Sequence, residues 1–222
     1  MVKFSKIDKQ LEKELKQAIR VVAKKLKLKS RSKNVFDKVG DYFVHYMIDI
    51  NFPDNKFRLI IRPYIKPYVI DDIFWEVFDM ASNSQAPMSL RAVGAFTVDT
   101  FTLPTKIAEE DWTMEDLDLE KVETKVLEVL SETHEEVLKL ISSFSDFEDF
   151  YTYVVENAPN PARHDLMGML LMIHRKQYAE ALQTAEGLIA KRQLGKFQNK
   201  SKWINEYIVD YCKEKLELDS GI

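Results

Sequence analysis

The stretch Asp41-Tyr42-Phe43-Val44-His45-Tyr46-Met47-Ile48-Asp49-Ile50-Asn51 is followed, after Phe52-Pro53-Asp54-Asn55, by Lys56-Phe57-Arg58-Leu59-Ile60-Ile61-Arg62-Pro63-Tyr64-Ile65-Lys66. Successive side chains of an extended chain point to opposite sides of a sheet. Tyr42, Val44, Tyr46, Ile48 and Ile50 therefore share one face and Phe43, His45, Met47, Asp49 and Asn51 the other. In the second run Phe57, Leu59 and Ile61 alternate with Arg58, Ile60 and Arg62. This is the pattern of two long strands folded about a turn rich in Pro, Asp and Asn. One face is thoroughly apolar. The other gathers His45, Asp49, Arg58, Arg62 and Tyr64, the place where a ligand would meet the sheet. An enzyme built there would use His45 as acid or base, Asp49 to orient it and an arginine to hold an anionic substrate.

Working outward, Ser5 caps an amphipathic helix running to about Leu26, with Ile7, Leu11, Leu15, Ile19, Val22 and Leu26 at three- and four-residue spacing. Lys27 to Lys33 reads as a basic loop before a short strand, Asn34 to Val39. Pro63 and Pro67 place the end of the second long strand at an edge or exit, because proline cannot donate to a ladder. Val69 to Met80 changes to helical period, with Asp71 and Asp72 in the first turn, where the helix dipole favours acids. Ala81 to Pro87 is a polar connection, and alternation over Leu90 to Leu103 predicts another strand. Beyond Trp112 the texture is helical: Leu117 to Ile141, Phe144 to Val155, then a break at Asn157-Ala158-Pro159-Asn160-Pro161. Arg163 to Arg175, an Ala-rich Tyr178 to Lys191 and Lys202 to Leu216 complete the helices.

The fold class is therefore α+β: an N-terminal helix plus a small antiparallel sheet of three to four strands with an inserted helix, followed by an all-α bundle of four to five helices. The expected division is 1–105 for the sheet and 106–222 for the helices, with a shared core permitted.

The chain has 222 residues and a net charge of -4, which gives no bulk signal for nucleic acid or membrane binding. Distribution is more telling. Met1 to Lys38 holds 13 Lys or Arg against 4 Asp or Glu, whereas Glu109 to Glu156 holds 16 acidic residues against 3 basic ones. A single cysteine, Cys212, allows no intramolecular disulfide, and the N-terminus lacks an apolar signal core, so a cytoplasmic protein is expected. No run approaches the ~20 apolar residues of a membrane span.

Motifs for chemistry are absent. None of His45, His134, His164 and His174 has a second His or Cys at helical ligand spacing, so no metal is expected. His134-Glu135-Glu136 lacks the second imidazole of a zinc hydrolase, and His164-Asp165 reads as local capping. There is no Gly-x-Ser-x-Gly elbow, and the 6 glycines form no phosphate-binding loop, so no cofactor is expected.

Two further surfaces stand out. Basic residues cluster at Lys24, Lys25, Lys27, Lys29, Arg31 and Lys33, and again at Lys191, Arg192, Lys196, Lys200 and Lys202, where Phe197 and Trp203 are interleaved. Either would suit a nucleic-acid backbone. The third surface is acidic, with Trp112 and Met114 set among Glu115, Asp116 and Asp118. Apolar anchors in an acidic field fit a basic protein partner, with charge steering the encounter. The expected function is a protein-binding module without catalysis, of the immunity or antitoxin type. A ligand site on the polar sheet face and a nucleic-acid binder are the alternatives.

Overall fold

The computed structural model describes residues 9–157 and 165–220. Expectations placed on Ser5, Ile7, His164 and Pro159 to Pro161 lie outside them. The chain divides into two compact units, each assembled from two separate segments: Met1–Lys66 with Thr100–Phe144, and Pro67–Asp99 with Ser145–Ile222. The expected division at 105–106 falls inside the first unit.

In the first unit, α1 (Lys9–Lys25) precedes β1 (Lys29–Arg31), β2 (Asn34–Val39), β3 (Tyr42–Asn51) and β4 (Phe57–Pro67). After the excursion into the second unit come β5 (Phe101–Thr102), β6 (Lys106–Glu110) and α4 (Leu119–Ser142). The sheet has six strands among the described residues, in the order β1-β2-β3-β4-β5, with β6 paired to the first half of β4. That exceeds the three to four expected. The extra strands are β1, which replaces the Lys27 to Lys33 loop, and β6, which is too short and too charged to show alternation. The turn between β3 and β4 follows from its residues: Asp54 and Asn55 both take positive φ, 51° and 62°, as a type I′ turn requires, and the Lys56 amide donates to the Pro53 carbonyl.

Burial follows the alternation. On β4, Phe57, Leu59, Ile61 and Ile65 are buried while Arg58, Ile60, Arg62 and Tyr64 are half-exposed. The apolar face is covered by α1 and α4, which pack against each other. α1 buries Leu15, Ala18, Ile19, Val22 and Ala23, and α4 buries Val122, Val126, Leu130 and Val137. Asp118 caps α4 by accepting the Glu120 amide at 2.9 Å.

The second unit contains α2 (Val69–Val77), a 3₁₀ turn at Ala81–Gln85, α3 (Ser89–Val93), α5 (Phe147–Asn157), α6 (Asp165–His174), α7 (Tyr178–Ala190) and α8 (Ile204–Ser220), with a two-residue hairpin, β7 (Gln198–Asn199) and β8 (Lys202–Trp203). The strand expected over Leu90 to Leu103 is corrected here: its start is α3, and only Phe101–Thr102 pairs in a sheet. The segment between is held by buried polar contacts instead of a ladder. Asp71, wholly buried on α2, accepts the Val98 amide at 2.9 Å, and Trp75 Nε1 donates to the Phe96 carbonyl at 2.7 Å. Arg91, 4% exposed, lies over the Tyr68 ring at 3.9 Å and donates to Asp71, to Asp72 and to the Tyr68 carbonyl. The two acids of α2 thus do more than satisfy a dipole. Phe74, Phe78, Phe96, Phe197 and Tyr207 form an aromatic core beside them. The Ala-rich α7 buries Ala181 and Ala185 completely, and packs closely on α8.

Candidate functional site

The polar sheet face brings its five expected residues onto adjacent strands, and most of their charge is spent within the sheet. Asp49 on β3 is shared between Arg62 Nη1 at 2.5 Å and Lys33 Nζ at 3.3 Å. Arg58 Nε reaches Glu109 at 2.6 Å, its cross-strand partner on β6. Such cross-strand ion pairs stabilise the ladder modestly. His45 is 7% exposed, its Nε2 lies 2.7 Å from Asn34 Oδ1, and its ring stacks on Tyr64 with centroids 5.3 Å apart. Desolvation, reinforced by the charge of Lys66, pulls its pKa down to about 4. A neutral, buried imidazole hydrogen-bonded to an amide is a poor proton shuttle near neutrality. What remains open on this face is an apolar row, Ile60 beside the exposed Ile107 of β6.

The acidic segment has a different geometry. Glu109 and Glu110 end β6, and the ladder is extended by the Phe57 amide, which donates to the Trp112 carbonyl at 2.8 Å. That bond fixes the Trp112 backbone on the sheet, and its ring lies 5.0 Å from the Phe57 ring. Trp112 is only half-buried. It lines an open groove of about 400 Å³ together with four carboxylates, Glu110, Asp118, Glu120 and Glu128, and two lysines, Lys121 and Lys125. Lys125 bridges Glu110 at 2.9 Å and Glu128 at 3.0 Å, so part of this charge is neutralised internally. Glu115 and Asp116 stand exposed at the turn leading to α4, where the Thr113 hydroxyl contacts Asp116 Oδ2 at 2.9 Å; Met114 is half-buried beside them.

The basic surfaces differ from each other. In the C-terminal patch Lys196, Lys200 and Lys202 pair with Asp99, Asp79 and Asp210, and Phe197 packs into the aromatic core. In the N-terminal patch Lys25 pairs with Glu123 and Lys33 with Asp49, while Lys24, Lys27 and Lys29 are exposed.

Other candidate residues have structural partners. His134 on α4 lies 2.7 Å from the Tyr46 hydroxyl, its neighbour Glu136 pairs with Lys106 at 2.7 Å, and the His174 ring lies 5.4 Å from the Phe147 ring at a tilt of 49°. Cys212 is wholly buried, and desolvation pushes its thiol up to about 11. Among the described residues no group of three or more His, Cys, Asp or Glu is placed to hold a metal ion, and no helix is long and apolar enough to cross a membrane. A small cavity of about 170 Å³ in the second unit is lined by Val98, Leu166, Leu188, Phe197 and Ile204. Sequence reasoning missed it, because its walls come from four separate stretches of chain.

No protein-family profile matches the chain, and comparisons with curated proteins and with solved structures gave no significant match. Function rests on the geometry alone.

Proposed function

We propose that this chain is a binding module that takes a basic segment of a protein partner into the acidic groove beside Trp112. The observation that carries this reading is the half-buried Trp112 ring, held on the sheet through Phe57 and left facing a groove bordered by Glu110, Asp118, Glu120 and Glu128. A fixed aromatic ring offers apolar area at little entropic cost, and the surrounding carboxylates steer a cationic partner toward it. Glu115 and Asp116 extend the field beyond the groove without ion pairs among the described residues. A partner of the kind held by immunity or antitoxin proteins, a basic effector whose surface must be covered, has the matching chemistry.

The test is affinity capture from native lysate with the wild-type chain, Trp112→Ala, and the double charge reversal Glu115→Lys with Asp116→Lys. The expected result is a set of basic proteins retained by the wild type and lost from both variants. An unchanged set of captured proteins removes the groove from the function.

A further inference from the structure

Apart from the acidic groove, the first unit carries a second concave surface of opposite character. α1 places Lys9, Lys13, Lys16, Arg20 and Lys24 on one side by its 3.6-residue period, opposite the buried Leu15, Ala18, Ile19 and Val22. At the middle of this stripe Lys13, Lys16, Gln17 and Arg20 meet Ser30 and Arg31 of β1 and Ser32 of the β1–β2 turn, and together they enclose an open cleft of about 390 Å³. The turn is a two-residue hairpin connection, since Arg31 pairs with Asn34, and Ser32 enters it at a φ of 58°. The lining contains four cations, two hydroxyls and one amide. It contains no carboxylate.

We propose that this cleft binds the phosphate backbone of a nucleic acid without base selectivity. Every lining side chain can donate a hydrogen bond, and four carry full positive charge, which is the donor set that phosphate oxygens require. Among the described residues Lys13 and Arg20 have no ion pair, and Lys16 has one, to Glu12 on its own helix at 2.7 Å. A phosphate approaching Lys13 and Arg20 therefore breaks no ion pair of theirs among the described residues. The C-terminal basic patch is its contrast, because Asp99, Asp79 and Asp210 already pair with its lysines. An extended polyanion fits better than a single phosphate, since the stripe runs past the cleft to Lys24 and on to the exposed Lys27 and Lys29. No aromatic side chain lines the cleft, so bases have nothing to stack on and the contact is to the backbone. This inference does not rest on the Trp112 groove.

The experiment is fluorescence anisotropy of labelled oligo(dT) titrated with the full chain at low salt, then across a salt series. Lys13→Glu with Arg20→Glu is the test variant, Arg31→Ala a second, and Lys191→Glu with Arg192→Glu a charge-matched control. All of these side chains are exposed. The expected result is saturable binding that weakens roughly tenfold or more in the test variant and less in Arg31→Ala, with the control unchanged. Each lost phosphate contact should also flatten the plot of log affinity against log salt, by about 1.4 for the double variant. Inorganic phosphate at the same phosphate concentration should not compete, and sedimentation with phosphatidylserine vesicles should show no retention. Four results would overturn the proposal: no binding of oligo(dT), an unchanged salt slope in the double variant, full competition by inorganic phosphate, or retention on vesicles without binding of oligo(dT).

Discussion

The Tyr46 hydroxyl on β3 and Nδ1 of His134 on α4 lie 2.7 Å apart, joining residues separated by 88 positions in the chain. Desolvation lowers the His134 pKa, outweighing the opposite pull of Asp37 and Glu135, so the ring stays neutral near pH 7. Burial, with Asp37 adding to it, raises the Tyr46 pKa, so the phenol keeps its proton. A protonated phenol and a neutral ring share one hydrogen bond, whose donor is set by the His134 tautomer. One hydrogen bond keys α4 to the covered face of the sheet, at a side chain that is wholly buried.

Tyr46→Phe removes that hydroxyl and leaves the aromatic ring in place. A net loss of about 1 kcal/mol is expected, the ordinary worth of a neutral hydrogen bond. Urea denaturation should show a lower midpoint with an unchanged slope, and His134→Ala in the Tyr46→Phe background should add less than it does alone.

His45 makes stability depend on pH. Its folded pKa is depressed to about 4 from an unfolded 6.5, chiefly by burial, so between those values the unfolded chain binds the proton that the folded one refuses. The stabilisation is complete above pH 6.5 and is lost as pH falls toward 4. Its full size is about 3 kcal/mol. The urea midpoint followed from pH 7 to pH 4 should fall more steeply for the wild type than for His45→Gln, and parallel curves would exclude His45 as the source.

Arg91 is buried in the second unit with both acids of α2 as partners. Arg91→Met takes away the guanidinium that pairs with Asp71, a side chain at 0% exposure, and a cost of about 3–5 kcal/mol follows. Arg91→Lys should not rescue it, because an ammonium cannot fork to Asp71, Asp72 and the Tyr68 carbonyl while lying over the Tyr68 ring. Thermal unfolding monitored by near-ultraviolet circular dichroism, which reports the Trp75 environment, measures both variants.

Cys212 should resist a thiol reagent in the folded protein at pH 8. Burial excludes the reagent, and a thiol pushed up to about 11 supplies little thiolate. Stoichiometric labelling should appear only in denaturant; rapid labelling of the native chain would show that α8 opens locally.

Much of the fold was legible because it is written in local periods. β3, β4, α1 and α4 each carry enough residues for alternation or a helical stripe to stand above noise, and the ends of β3, β4 and α4 and the C-terminal end of α1 fall within a few positions of the expected ones. Leu90 to Leu103 misled for the same reason. Its alternation is real, but Asp71, Trp75 and Arg91 satisfy or pin the surrounding backbone, and no ladder forms over most of it. β6 was invisible, since Lys106-Ile107-Ala108-Glu109-Glu110 is made a strand by pairing with Phe57 to Ile61 and not by its own propensities.

The candidate surfaces were legible as residue types and not as states. Sequence placed His45, Asp49, Arg58, Arg62 and Tyr64 on one face, and it marked Trp112 as an aromatic within acids. Only the tertiary structure decided that Asp49 is already shared by Lys33 and Arg62, that Arg58 belongs to Glu109, and that Lys13 and Arg20 meet the β1–β2 turn in a cleft without carboxylates. Periodicity is a property of neighbours along the chain, so the sequence by itself determined the faces of each element. Whether a charge is spent or available depends on partners brought within a few ångströms by folding, and that is a property of the packed molecule alone.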